Sequence, residues 1–145
     1  MLRLHCETKK YSWGQPGDVS LVADLALHNS NEPVDRLSPY AELWMGVHVS
    51  GPSTVAKSGE TLCSWLDRLP QALGSGVLSN YGNSLPFLFK VISIQTALSI
   101  QSHPDKVLAR QLHIERPDVY RDANHKPELA LAVRASYQVA GIDMW

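Results

Sequence analysis

Apolar residues fall into short runs separated by glycine, proline and small polar residues, a pattern of many brief strands rather than long helices. Residues 1–14 read as an opening strand that turns at Trp13-Gly14, and Gln15-Pro16-Gly17-Asp18 is turn chemistry. From Ser20 to Leu27 apolar residues stand at 21, 22, 25, 26 and 27, which predicts a short helix with Asp18 or Ser20 placed to cap it. His28 to Pro33 is expected to break that helix. Pro39 to Gly46 reads as a strand from its aromatics, and Gly51 to Val55 as a turn into another. Between Thr61 and Leu69 the apolar positions 62, 65, 66 and 69 form a helical stripe, with Thr61 or Ser58 as cap and Pro70 as terminator. Gly74-Ser75-Gly76 and Tyr81-Gly82-Asn83 predict a surface loop, with no P-loop lysine to suggest a nucleotide.

Leu85 to Ser93 is a strongly apolar strand interrupted by Lys90, a lysine either at a strand end or pointed into a polar cavity. Leu98 to His103 is read as the next strand, joined through Ile94–Ala97 so that the two form a hairpin. Asp105 to His113 is a helix with positions 107, 108 and 112 on one side. Arg116 to Asn124 is a polar loop, and Glu128 to Val133 is the last strand. The sum is a mainly β chain, a sandwich or jelly roll, with two or three helices packed outside.

Composition narrows the class. At 145 residues, 44% hydrophobic and 19% charged, the chain has the size and make-up of one soluble globular domain. A net charge of -1 gives no basic surface for nucleic acid or an anionic membrane. No apolar run approaches the ~20 residues that a membrane helix requires, and the N-terminus lacks a signal peptide's apolar core. Cys6 and Cys63 make no disulfide framework and read as free thiols in a reducing compartment, so the cytoplasm is the expected location.

Candidate chemistry gathers near the C-terminal end. On an extended strand Gln101 and His103 point to one side, Ser99 shares that side, and Glu128 lies on another apolar run that can bring a carboxylate to the same place. Two oxygen donors and one nitrogen donor suit a borderline divalent cation such as Zn²⁺, with positions left for water or substrate. Glu42 is an acid within an apolar run; as a structural residue it is a salt-bridged strand glutamate.

The wording of these stretches carries a family likeness. Ile100-Gln101-Ser102-His103-Pro104-Asp105-Lys106 and Asn124-His125-Lys126-Pro127-Glu128 resemble the two signature stretches of type I mannose-6-phosphate isomerases. Tyr11-Ser12-Trp13-Gly14, Pro39 to Gly46, Ser50 to Ser53 and Leu85 to Val91 agree with the family in the same order. The likeness covers residues 1–133 and fades over 134–145, which reads as a divergent or out-of-frame tail.

The resemblance implies a zinc-dependent aldose–ketose isomerase that interconverts mannose 6-phosphate and fructose 6-phosphate, in mannose metabolism and GDP-mannose supply. It implies Gln101, His103 and Glu128 as metal ligands. Lys126 and His125 would be acid–base groups, and Trp13, Glu42, Lys90 and Ser99 would contact the sugar phosphate. It implies a cupin-type jelly roll (a double-stranded β-helix), of which residues 1–133 are an incomplete part. A helical domain, a second cupin, a further His ligand and a phosphate-binding Arg are expected downstream of this chain in the family. A lone partial barrel leaves open strand edges and is expected to be marginal. The family favours a monomer. The competing expectation is a truncated, catalytically inactive isoform that serves as a binding or structural module.

Overall fold

The computed structural model describes residues 1–30 and 33–133. It separates into two compact units, Met1–Thr96 and Ala97–Trp145.

The first unit is built on a three-stranded antiparallel sheet. Its strands are β2 (Glu7–Lys9), β5 (Glu42–Met45) and β7 (Phe89–Ile92), in the order β2-β5-β7. Two smaller antiparallel pairs interleave with it in sequence, β1 (Leu4–His5) with β6 (Thr54–Val55) and β3 (Gln15–Pro16) with β4 (Pro39–Tyr40). The central register sets Lys9 opposite Glu42, Glu42 opposite Ile92, and Trp44 between Glu7 and Lys90. Directly opposed residues share a face, so Glu7, Lys9, Glu42, Trp44, Lys90 and Ile92 lie on one side. Leu43 and Val91 lie on the other and pack against the buried cluster Val22, Ala23 and Tyr40.

Val22 and Ala23 of that cluster belong to helix α1 (Leu21–Ser30). Ser20 begins the helix as expected: its buried Oγ lies 3.3 Å from the Ala23 amide and donates to the Tyr40 carbonyl at 3.0 Å. Ser93 Oγ accepts from the Val22 amide at 3.2 Å, which ties the same helix end to the residue just beyond β7. The helix passes His28 and Asn29, where the sequence predicts a break. Tertiary bonds hold its last turn: Asn29 donates to the Cys6 carbonyl at 3.2 Å, and His5 Nδ1 lies 2.7 Å from the Asn29 carbonyl.

Among the described residues there are four α-helices, more than the two or three expected. Helix α2 (Leu62–Arg68) has the expected Thr61 cap, whose side chain accepts from the Ser64 amide. Pro70 both stops it and opens a 3₁₀ turn, Pro70–Leu73, where its missing N–H costs nothing. The expected loop beyond is instead helix α3 (Ser75–Tyr81), bracketed by Gly74 at φ 80° and Gly82 at φ 66°. Glycines in that conformation end the neighbouring helical turns without strain.

In the second unit Asp105 caps helix α4 (Lys106–Glu115), accepting from the Val107 and Leu108 amides at 2.9 Å each. His113, on its last turn, lies 2.6 Å from the Tyr120 carbonyl through Nδ1 and so fastens the polar loop that follows. The hairpin predicted from Leu85–Ser93 and Leu98–His103 does not form. β7 is shorter than the apolar run and pairs with β5; Ile94 bridges Gly14, and the Gln95 and Thr96 amides donate to the Trp13 carbonyl. Residues 98–103 and 128–133 have no strand partner among the described residues, so the apolar patterns that predict strands there leave Ile100, Leu129, Leu131 and Val133 exposed. A strand exists only where a neighbour takes its backbone N–H and C=O groups. The expected tail, residues 134–145, lies outside the described residues.

Cys6 and Cys63 are free cysteines, as expected. Burial pushes the Cys6 thiol above its ordinary value, with the Ser53 hydroxyl pulling partly the other way.

Two predictions test this frame. A Cβ on Gly14 would come 2.7 Å from the Tyr40–Ala41 backbone, which cannot yield cheaply. Gly14→Ala is expected to cost about 1–3 kcal/mol in urea unfolding through overpacking. Glu60, in turn, is held below its ordinary 4.5 first by its hydrogen bond to Arg68, at 2.6 and 2.8 Å, and then by Ser58. A depressed carboxylate stabilises above the unfolded value and loses that contribution as pH falls through the folded one. Wild type and Arg68→Met are therefore expected to differ in melting temperature at neutral pH and to converge below the Glu60 transition.

Candidate functional site

In the first unit the polar face of the sheet presents a charged and aromatic group. Glu42 is buried, and Lys90 Nζ lies 3.5 Å from its Oε1. The Trp44 indole N–H donates to its other oxygen at 2.5 Å. The three meet because Glu42 and Trp44 are two residues apart on one strand and Lys90 stands directly across from Trp44. The Lys90 ammonium also lies 4.7 Å from the centre of the Trp44 ring, and Lys9 approaches the same ring at 4.8 Å. Lys9 is fixed by the Ser50 carbonyl at 2.7 Å and by Glu7 at 3.3 Å. His48 meets the Trp44 ring edge-on at 5.1 Å.

The salt-bridged reading of Glu42 is therefore realised. Lys90 keeps a fifth of its side chain exposed while leaning on an acid and a π face. Sequence reasoning missed Trp44 and Lys9; the available signal was Trp44 sharing Glu42's strand face. Trp13 is half-buried, stacks on Tyr11 at 5.7 Å between centroids, and accepts the Gln95 and Thr96 amides through its carbonyl.

In the second unit the signature residues up to Pro104 and from Asn124 on lie outside helices and strands, so the strand face invoked for Ser99, Gln101 and His103 is not present as a sheet. The i, i+2 relation nevertheless brings Ser99 and Gln101 together, with Gln101 Nε2 donating to Ser99 Oγ at 3.4 Å. His103 Nε2 lies 3.3 Å from Glu128 Oε2, and Lys126 Nζ lies 3.3 Å from Glu128 Oε1. An imidazole nitrogen and a carboxylate oxygen thus converge from positions far apart in sequence, with an ammonium beside them. His125 is half-buried.

This donor set fits a divalent metal in kind. Among the described residues no three His, Cys, Asp or Glu side chains gather at one point, so among them a third side-chain donor beside His103 and Glu128 would be of another kind, such as an amide oxygen. The Gln101 amide oxygen is of that kind, and its nitrogen is already engaged by Ser99. One imidazole with oxygen donors suits a borderline divalent cation and leaves room for further ligands.

Comparison with known proteins adds an independent finding. Residues 1–142 match the family model described as phosphomannose isomerase type I, catalytic domain. The chain is 52% identical over 133 residues to the mannose-6-phosphate isomerase of Schizosaccharomyces pombe, covering 92% of this chain and 32% of that protein. It is 51% identical over 134 residues to mannose-6-phosphate isomerase 1 of Arabidopsis thaliana, covering 90% and 31%. A crystal structure of a mannose 6-phosphate isomerase bound with zinc and yttrium superposes with a TM-score of 0.67 at 28% identity, over 86% of this chain and 33% of that one. The chain spans about a third of the length of these relatives. In fold class it is mainly β with helices and similar to phosphomannose isomerase, a cupin-fold enzyme, and no closed barrel forms among the described residues. No helix among the described residues is long and apolar enough to cross a membrane.

Removing one partner of the Glu42–Lys90 pair strands the other. Lys90→Met is expected to destabilise the first unit by about 1–3 kcal/mol in urea unfolding, below the value for a fully buried pair because Lys90 reaches water. Equal stability of variant and wild type would show that the pair is not part of the fold's support.

Proposed function

The chain belongs to the type I phosphomannose isomerases, and from that premise we propose that it carries part of a zinc-dependent isomerase acting on mannose 6-phosphate and fructose 6-phosphate. The approach of His103 to Glu128, which unites the two signature stretches at 3.3 Å, is the single observation that supports this most. Gln101, His103 and Glu128 would hold the metal. When bound, zinc supplies a Lewis acid and template for sugar oxygens.

The chemistry moves a proton between two carbons. The sugar ring opens, a proton leaves C2 as O1 gains one to give a cis-enediol, and a proton returns at C1 as O2 loses its own to become the ketone oxygen. Lys126 and His125 are the groups assigned to carry protons, since each follows or precedes the ligand stretch closely and general acid–base catalysis needs a group within hydrogen-bond reach. Lys126 stays close to Glu128 at 3.3 Å, which keeps its ammonium in this neighbourhood. Ser99, held by Gln101, is assigned to substrate contact. In the first unit Lys90 supplies a cation for a sugar oxygen or phosphate, Glu42 accepts from a sugar hydroxyl, and Trp13 offers a ring face. Lys90 and Trp13 expose a cation and a ring of the kind that a sugar phosphate recruits, and the buried Glu42 carboxylate keeps lone pairs beyond those used by Trp44 and Lys90. The two free thiols fit a reducing compartment, the cytoplasm, and the family likeness favours a monomer.

A second reading is a binding or structural module without turnover. Metal content by plasma emission spectrometry and a coupled mannose 6-phosphate assay separate the two. About one zinc per chain with turnover is expected from an active isomerase; zinc without turnover supports the module. His103→Ala is expected to lower zinc affinity at least tenfold. Zinc retained at wild-type affinity in that variant would overturn the ligand assignment.

A further inference from the structure

We propose that Trp44 is a positioning residue that holds Glu42 and Lys90 as one unit for sugar-phosphate binding; this deepens, and rests on, the assignment of those two residues to the substrate. Three independent contacts carry it. The indole N–H takes one oxygen of Glu42 at 2.5 Å while Lys90 takes the other at 3.5 Å, so the carboxylate is fixed at both ends. The Lys90 ammonium lies 4.7 Å from the centre of the same indole, so the ring that orients the acid also seats its partner cation. Lys9 reaches that ring at 4.8 Å while its own ammonium is tied to the Ser50 carbonyl at 2.7 Å.

Trp44 is itself nearly buried, at 7% exposure, and its position is set by pairing on both edges, Glu7 on one side and Lys90 on the other. A side chain so enclosed contributes by shaping its neighbours. Without the indole N–H, Glu42 loses one of its two anchors and samples more rotamers, and each rotamer-rich group ordered on binding costs affinity. Without the ring, Lys90 loses its cation–π seat as well. The two functions of the indole are therefore separable by substitution. Trp44→Phe removes the N–H and keeps a π face, whereas Trp44→Leu removes both.

The test uses the full 145-residue chain, with mannose 6-phosphate as the probe. By NMR in the wild type, the Trp44 indole proton is expected to exchange with solvent at least tenfold more slowly than that of free tryptophan, given a buried charge-assisted bond. The Lys90 methylene protons next to the ammonium are expected upfield of their random-coil position, a ring-current signature retained in Trp44→Phe and lost in Trp44→Leu. Binding of mannose 6-phosphate is expected to weaken about tenfold in Trp44→Phe, the loss of roughly one hydrogen bond to a charged group, when measured well below the lowered melting temperature of the variant. A merely structural tryptophan would shift the melt and leave the affinity alone. Free-tryptophan exchange, an unshifted Lys90 methylene, or wild-type affinity in Trp44→Phe would each overturn the proposal. Should the wild type give no response to mannose 6-phosphate, the isomerase reading of this chain fails, and the exchange and ring-current measurements still decide whether the indole holds the pair.

Discussion

The first unit depends on β5 being paired along both edges. A strand with neighbours on either side satisfies all of its backbone groups and fixes which side chains share a face. Here that constraint divides residues 42–45 into two jobs. Leu43 turns to the cluster around Val22, Ala23 and Tyr40, while Glu42 and Trp44 turn to the polar side. A slip by one residue would exchange the two sets, burying an acid in the apolar cluster and stranding the leucine.

Support for β5 comes from buried hydroxyls as much as from apolar packing. Ser20 and Ser93 join the start of α1 to Tyr40 and to the end of β7, and Ser53 accepts the Gly46 amide at 3.1 Å just past β5. Every buried side-chain polar atom among the described residues has a partner. Such bonds are worth about 1 kcal/mol each in net stability, but leaving a donor unmatched costs more, so they fix geometry more than they add strength.

Features that depend on local chemistry were legible in the sequence. The caps at Ser20 and Thr61, the start of a helix at Asp105, the turn at Trp13-Gly14 and the strand at 42–45 all follow from short-range rules. What was not legible follows from partners distant in sequence. The apolar pattern at 98–103 and 128–133 reads as strand, yet no neighbour pairs with it among the described residues. Helix α3 was obscured by glycines that read as loop and serve as its ends. At the candidate site, residue identities in the two signature stretches were plain, and so was the acid at 42. That Glu42 would share an indole with Lys90 needed the register between β5 and β7, which no single stretch encodes.

The stretch from Gly74 to Gly82 carries a practical consequence. A Cβ at Gly74, Gly76 or Gly82 would meet nothing within 4 Å, and both ends of α3 already adopt turn conformations. Such an uncrowded surface excursion is where a chain accepts extra length most readily. An affinity tag or reporter peptide spliced beside Gly82 would extend into solvent and leave the β5 ladder undisturbed.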